Sequence, residues 1–228
     1  MNSSRQSGNV LFIIFIGIAL FAALSFAVSR GMRSGGESVS KEKTSLSVNE
    51  LIQYSNAVSQ SIKAIKALNG CTDTQINFAN TIISGYSNAS APADGSCNIF
   101  EQQGGGLTYQ TPDDKILDPA YQADAAYRKW LFTGRFCVNS VGTGVGSTCA
   151  AENAELLMIL PYINNETCNK LVEMMGNPNA PSANTGFANY FTGTYGTVPM
   201  NSSMIVGKRF GCYSYNGLNA FFFVLLAR

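Results

Sequence analysis

Apolar positions fall along this chain in three different rhythms. The first is continuous: residues 10–28 are 19 positions with one glycine, one serine and no charge. As a helix this run is about 28 Å long, close to the hydrocarbon thickness of a bilayer. It predicts a transmembrane helix over 9–29, in contact with membrane lipid through 10–28. Gly17, Ala19, Ala22, Ala23 and Ala27 are small enough to let helices approach closely in lipid, whereas Phe12, Phe15, Phe21 and Phe26 suit lipid contact. A secretory signal has a shorter apolar core of about 7–15 residues. Ser25-Phe26-Ala27 nevertheless has the small-x-small form of a cleavage site, so a cut after Ala27 stays open beside a retained anchor.

The second rhythm has the helical period. Leu51, Tyr54, Val58, Ile62 and Ile65 recur at three- and four-residue steps, with Gln53, Ser59, Gln60, Lys63 and Lys66 off the stripe. Ser47 and Glu50 are spaced as a capping box, and Asn69-Gly70 is a stop. An amphipathic helix over about 48–68 follows, covering a sheet or extending the membrane helix as a stalk. Between the two, residues 29–45 hold Gly31, Gly35, Gly36 and several serines, and read as a flexible linker or a kinked helical continuation.

The third rhythm is that of strands in a loop-rich domain. Strands are expected at 130–139, 156–160, 210–215 and 220–227, with a shorter one at 107–110 after the turn Gly104, Gly105, Gly106. Asn216-Gly217 is a strong hairpin signal. The run 221–226 is too short to cross a membrane and reads as a central strand buried on both faces. A helix is expected at 165–175, with Cys168, Leu171, Val172 and Met175 on one side and Gly176 as its stop. The fold class is α+β: a transmembrane helix, then an amphipathic helix on an antiparallel, disulfide-bonded sheet. The organisation is a basic leader at 1–8, the membrane helix at 9–29, linker and amphipathic helix at 30–69, and an exported domain at 70–228.

Cysteine usage sets the compartment. Cys71, Cys97, Cys137, Cys149, Cys168 and Cys212 all follow the apolar run, none forms a CxxC pair, and the chain has no histidine. Three disulfides in an oxidising compartment are the economical reading. Six cysteines allow 15 pairings. Pairing along the chain, Cys71–Cys97, Cys137–Cys149 and Cys168–Cys212, is preferred, the middle one because it brackets a loop with Gly142, Gly144 and Gly146. Arg30, Arg33, Lys41 and Lys43 after the span argue for a cytoplasmic domain by the positive-inside rule. The cysteines argue for an exported one, and carry more weight because a short tail needs little charge to stay inside.

Charge and composition narrow the function. Arg5, Arg30 and Arg33 are three of the 15 basic residues, so from Ser34 onward 12 face 14 acidic ones and the net charge is −2. No basic face invites nucleic acid. Without histidine, Ser-His-Asp and Cys-His catalysis and Cys/His zinc sites drop out. Asp113, Asp114 and Asp118 cluster, but without the alternation of a calcium loop, and read as a solvated turn. The glycines at 142–146 and 104–106 lack the context of a dinucleotide or phosphate loop. Asn2, Asn88, Asn165 and Asn201 begin N-x-S/T triplets, which arise by chance in so Asn-rich a chain. Aromatics at 187–195 either pin a long loop to the core or form a binding surface. No catalytic, cofactor or metal residue is expected, and the chain reads as a non-enzyme.

Residues 1–8 are short, polar and basic, and end in glycine directly before the long apolar helix. This resembles the leader of type IV pilins and of the pseudopilins of type II secretion. The resemblance covers about the first 30 residues. It implies cleavage by a membrane peptidase between Gly8 and Asn9, an apolar helix that first anchors the subunit and later packs in a filament core, and self-assembly or assembly with other envelope subunits. It places the protein in a bacterial inner membrane with a periplasmic domain, or in an extracellular filament. One departure stands out: the fifth residue after the cut is Ile13, where most pilins carry a glutamate used in docking subunits. The alternative is a stationary membrane-tethered periplasmic binding or assembly factor.

Overall fold

The computed structural model describes residues 7–143, 149–183, 186, 187, 190–200 and 202–228; within the first helix it describes side chains at 14–23, 25, 26 and from 42 onward. The chain divides into two compact units, Met1–Ser45 and Leu46–Arg228.

One helix, α1 (Ser7–Leu68), runs through both. It does not begin at Ser47. The amides there are already bonded within the helix, so the capping box has nothing to cap. Nor is there a flexible linker at 29–45, because the backbone stays helical through Gly31, Gly35 and Gly36. Each such glycine costs only about 1 kcal/mol relative to alanine, whereas stopping and restarting would need a second unfavourable nucleus. In the first unit the described side chains at 14–23, 25 and 26 are all exposed, among them Ile14, Phe15, Ile18, Leu20, Phe21 and Phe26. Among the described residues no helix is long and apolar enough to cross a membrane. Much of the predicted span, including the side chains of 10–13, 24, 27 and 28, lies outside them.

In the second unit α1 buries the predicted stripe, Leu51, Tyr54, Val58, Ile62 and Ile65, together with Val48. Ser59, expected off the stripe, is buried too, and its hydroxyl donates to the Leu225 carbonyl at 2.7 Å. The helix ends as expected: the Asn69 amide donates back to Ile65, and Gly70 takes a left-handed φ of +70°.

The domain is α+β. A four-stranded antiparallel sheet joins β1 (Leu131–Thr133), β3 (Leu156–Pro161), β6 (Leu218–Leu226) and β5 (Phe210–Tyr215), in that order. The segment 130–139 is two strands, not one. Gly134 breaks it, lying so close to Phe191 and Tyr195 that a side chain there would collide with both rings. Beyond the break, β2 (Phe136–Cys137) pairs in parallel with β4 (Val198–Pro199), a strand the loop-like composition of 177–199 hid. Asn216 and Gly217, both at positive φ, close the β5–β6 hairpin with Tyr215 opposite Leu218.

β6 is central and buried on both faces. Phe221, Phe223 and Leu225 pack with the α1 stripe, Trp130, Phe132 and the buried side of α2 (Asn165–Met175). Ala220, Phe222 and Val224 face Leu157, Ile159, Tyr213, Met200 and Ile205. α2 has the expected bounds, with the Asn164 side chain accepting from the Thr167 amide and Gly176 left-handed at its end. All six cysteines are paired as the chain order suggested: Cys71–Cys97, Cys137–Cys149 and Cys168–Cys212. Gly144 and Gly146 of the bracketed loop lie outside the described residues.

Residues 69–130 contain no strand or α-helix. Asn and Asp side chains hold them instead. Asn77, Asn80, Asn88, Asp94, Asn98, Asp113, Asp118 and Asp124 each accept from the backbone amide two residues on. Such local turns replace ladder bonds in an irregular chain. The expected strand at 107–110 is among the replaced elements. Leu107 makes one backbone bond to Ile99, and Gln110 is held by the Tyr54 hydroxyl and the Trp130 indole.

Candidate functional site

Gly8 and Asn9, the expected processing pair, lie in the first turn of α1, and their side chains are outside the described residues. After them comes the exposed apolar series at residues 14–26. These are large side chains: Phe21 is 73% and Leu20 66% exposed. Scattered apolar residues on a surface are ordinary, whereas here the exposed apolar side chains run through several successive turns.

The other candidates resolve into structure. Asp113 and Asp118 cap the short turns Asp114–Ile116 and Pro119–Tyr121 through the Lys115 and Ala120 amides. The bond from the Lys115 amide holds the Asp113 carboxyl below its ordinary range. Asp114 pairs with Arg128 at 3.1 Å. Among the described residues no group of three or more His, Cys, Asp or Glu side chains is placed to hold a metal. The Asn88 amide nitrogen donates to the Thr74 and Ile76 carbonyls at 2.8 Å each, so this triplet is a buried bracket and no open acceptor. Asn201 lies outside the described residues. The aromatic loop is pinned to the core: Phe191 stacks edge-on to Phe78, Tyr190 lies 4.5 Å from Tyr86, and Phe187 packs on Tyr162.

Recesses occur among the described residues. One of about 130 Å³ lies between α1 and the 110–116 turn, floored by Tyr54 and Trp130 with Glu50 and Asp113 at its rim. Burial pushes the Tyr54 phenol up to about 12. An open cleft of about 590 Å³ lies among Gly85, Asp124, Leu131, Phe187 and Tyr190. The smaller one is also lined by Ser47 and Thr111. The acids lining these recesses are engaged in caps, except Glu50, which is exposed.

Two features escaped sequence reading. The first is a knot around Arg228. Its guanidinium pairs with Asp73 at 3.0 Å, donates to the Ala151 and Ala154 carbonyls, and lies 3.8 Å over the Tyr195 ring. Asp73 is also paired with Lys66 from the last turn of α1. The second is Glu155, completely buried at the start of β3. A lone acid directly before the apolar run 156–160 was its one visible signal. Burial pushes its carboxyl up to about 7.

No family model matches the chain, no curated protein matches it, and no solved structure matches it.

Proposed function

We propose that this chain is a structural, non-enzymatic subunit of a bacterial envelope filament or secretion apparatus, of the pilin or pseudopilin kind. In this reading residues 1–8 are a leader removed after Gly8. The apolar turns at 10–28 cross the inner membrane and later pack against other subunits, and the disulfide-bonded domain is exported. One observation carries it. A single unbroken helix bears exposed apolar side chains in its first unit and buries an amphipathic stripe on an antiparallel sheet in its second. The three disulfides support the oxidising side of the membrane. Ile13 in place of the docking glutamate favours a second reading, a stationary membrane-tethered assembly or binding factor that never enters a filament.

The test is the intact mass of the protein from native membranes, with and without reduction. The subunit reading expects loss of residues 1–8 and a gain of six hydrogens on reduction. An uncut chain with the same gain transfers the case to the tethered factor. A cut after Ala27 sinks both readings, and an unchanged mass on reduction moves the domain to the cytoplasmic side.

A further inference from the structure

Glu155 stands where a strand partner would stand for β2. Its backbone amide donates to the Phe136 carbonyl at 3.0 Å, and its side-chain Oε2 accepts from the Val138 amide at 2.7 Å. One residue therefore engages the Phe136 carbonyl and the Val138 amide, tying β2 and the residue after it to the residue before β3. The second carboxyl oxygen, Oε1, is fully buried and has no hydrogen-bond partner among the described residues. A carboxylic acid there keeps its carbonyl-like oxygen paired and leaves one O–H donor unmatched, at about 1–3 kcal/mol. A carboxylate is costlier there, because an unpaired buried charge costs several kcal/mol.

The charged and titratable groups around this junction are already engaged. Arg228 supplies the one favourable charge, but its guanidinium is committed to Asp73, the Ala151 and Ala154 carbonyls and the Tyr195 ring. Lys66 is paired with the same Asp73. Glu152, on the neighbouring turn Ala151–Asn153, is exposed and adds only like charge. Tyr195 is held neutral by burial, its phenol pushed well above the ordinary range.

We propose that Glu155 is a proton-operated latch: as the neutral acid it holds β2 against the start of β3, and on ionisation it releases β2. The release follows from the orphan oxygen, which reaches a donor only by drawing Arg228 away from Asp73 or by admitting water between Val138 and Glu155. An exported domain meets whatever pH surrounds the cell, so a latch of this kind would loosen one defined corner of the domain while leaving its sheet intact. The inference stands whether or not the chain enters a filament.

The experiment is amide hydrogen exchange on the full-length protein in detergent micelles from pH 5 to pH 9, corrected for intrinsic exchange. Protection at Val138 and Cys137 is expected to fall at least tenfold between pH 6 and pH 9, with α2 and the centre of β6 unchanged. Glu155→Gln keeps an acceptor for Val138 but cannot ionise, and should make β2 protection independent of pH. Unchanged protection at Val138 in the wild type overturns the proposal, as does a folded Glu155→Gln protein with the wild-type pH dependence. Should Glu155→Gln fail to fold, the wild-type profile decides alone.

Discussion

Removing the disulfides one at a time should weaken the domain in a fixed order. The perturbation is a paired alanine substitution for each bridge. Cys168–Cys212 closes 44 residues, Cys71–Cys97 closes 26 and Cys137–Cys149 closes 12. In the chain-entropy picture these loops stabilise by about 4, 3.5 and 2.8 kcal/mol respectively, through restriction of the unfolded chain. Packing acts in the same direction. Cys168 and Cys212 are both essentially fully buried and join α2 to β5, whereas Cys149 is only half-buried. Against a typical net stability of about 5–15 kcal/mol, losing the longest bridge should leave a marginal domain. The assay is urea unfolding of the full chain in micelles. Trp130 is the sole tryptophan, is 2% exposed, and makes a convenient fluorescent reporter. The expected order of cost is Cys168/Cys212, then Cys71/Cys97, then Cys137/Cys149, with about 1.2 kcal/mol between the extremes. An equal or larger loss on removing Cys137–Cys149 would refute the reasoning. It would mean that the 12-residue loop carries native contacts that outweigh loop entropy.

The glycine triplet should divide two against one. An alanine at Gly104 would drive its Cβ into the Asn98 and Gly95 carbonyls, and at Gly105 into Ser61 and the Ile99 carbonyl, so each change should cost about 3 kcal/mol. Gly106 sits at φ +64° in open space, so Gly106→Ala should cost only about 1 kcal/mol and Gly106→Asn less; thermal midpoints of the three proteins check this. Ser61→Ala should not rescue Gly105→Ala, because the backbone carbonyl of Ile99 remains in the way. Tyr86→Phe removes a buried hydroxyl that donates to the Trp130 carbonyl at 2.6 Å and accepts from the Phe132 amide at 3.0 Å. Two groups on the outer edge of β1 then lose their partner, at a cost of about 2 kcal/mol; retained stability in urea would show that water replaces the phenol.

What was legible in the sequence was whatever is fixed by neighbours along the chain. α2 carries an apolar side and a glycine stop, and both act where they were read, with the Asn164 cap added by the structure. The β5–β6 hairpin is set by Asn216-Gly217, and β3 by a short apolar run. Illegible features depend on partners far away. The break between β1 and β2 is imposed by rings from the 190s, and β4 exists only because β2 offers it an edge. Ser59 is polar, yet the Leu225 carbonyl, 166 residues on, gives its hydroxyl a partner in the core. Residues 69–130 misled for a different reason. Their many asparagines suggest a solvated surface, but Asn88 and Asn98 are buried and work as backbone brackets. Of the candidate site, the cysteine pairing was one preferred choice among 15 that the structure adopts, whereas Glu155 and the Arg228 knot needed three-dimensional neighbours to acquire meaning.

The Arg228 knot bears on how the end of α1 is held in the second unit. Along α1 the apolar stripe from Val48 to Ile65 resists sideways displacement, but apolar contacts have no direction along the helix axis. Axial restraint has to come from directional bonds. The structure has them at the end of α1: Lys66 pairs with Asp73, Asp73 with Arg228 just past β6, and the Cys71–Cys97 bridge follows the helix stop immediately. Ser59 adds a bond to β6 midway. Asp73 is only about a quarter exposed and takes two cations, so the pairs are screened less than surface ion pairs. A helix that slid by one turn, about 5.4 Å, would break these ion pairs and the Ser59 hydrogen bond and would pull against the Cys71–Cys97 bridge. The polar end of α1 thus fixes the register that the apolar stripe alone leaves free.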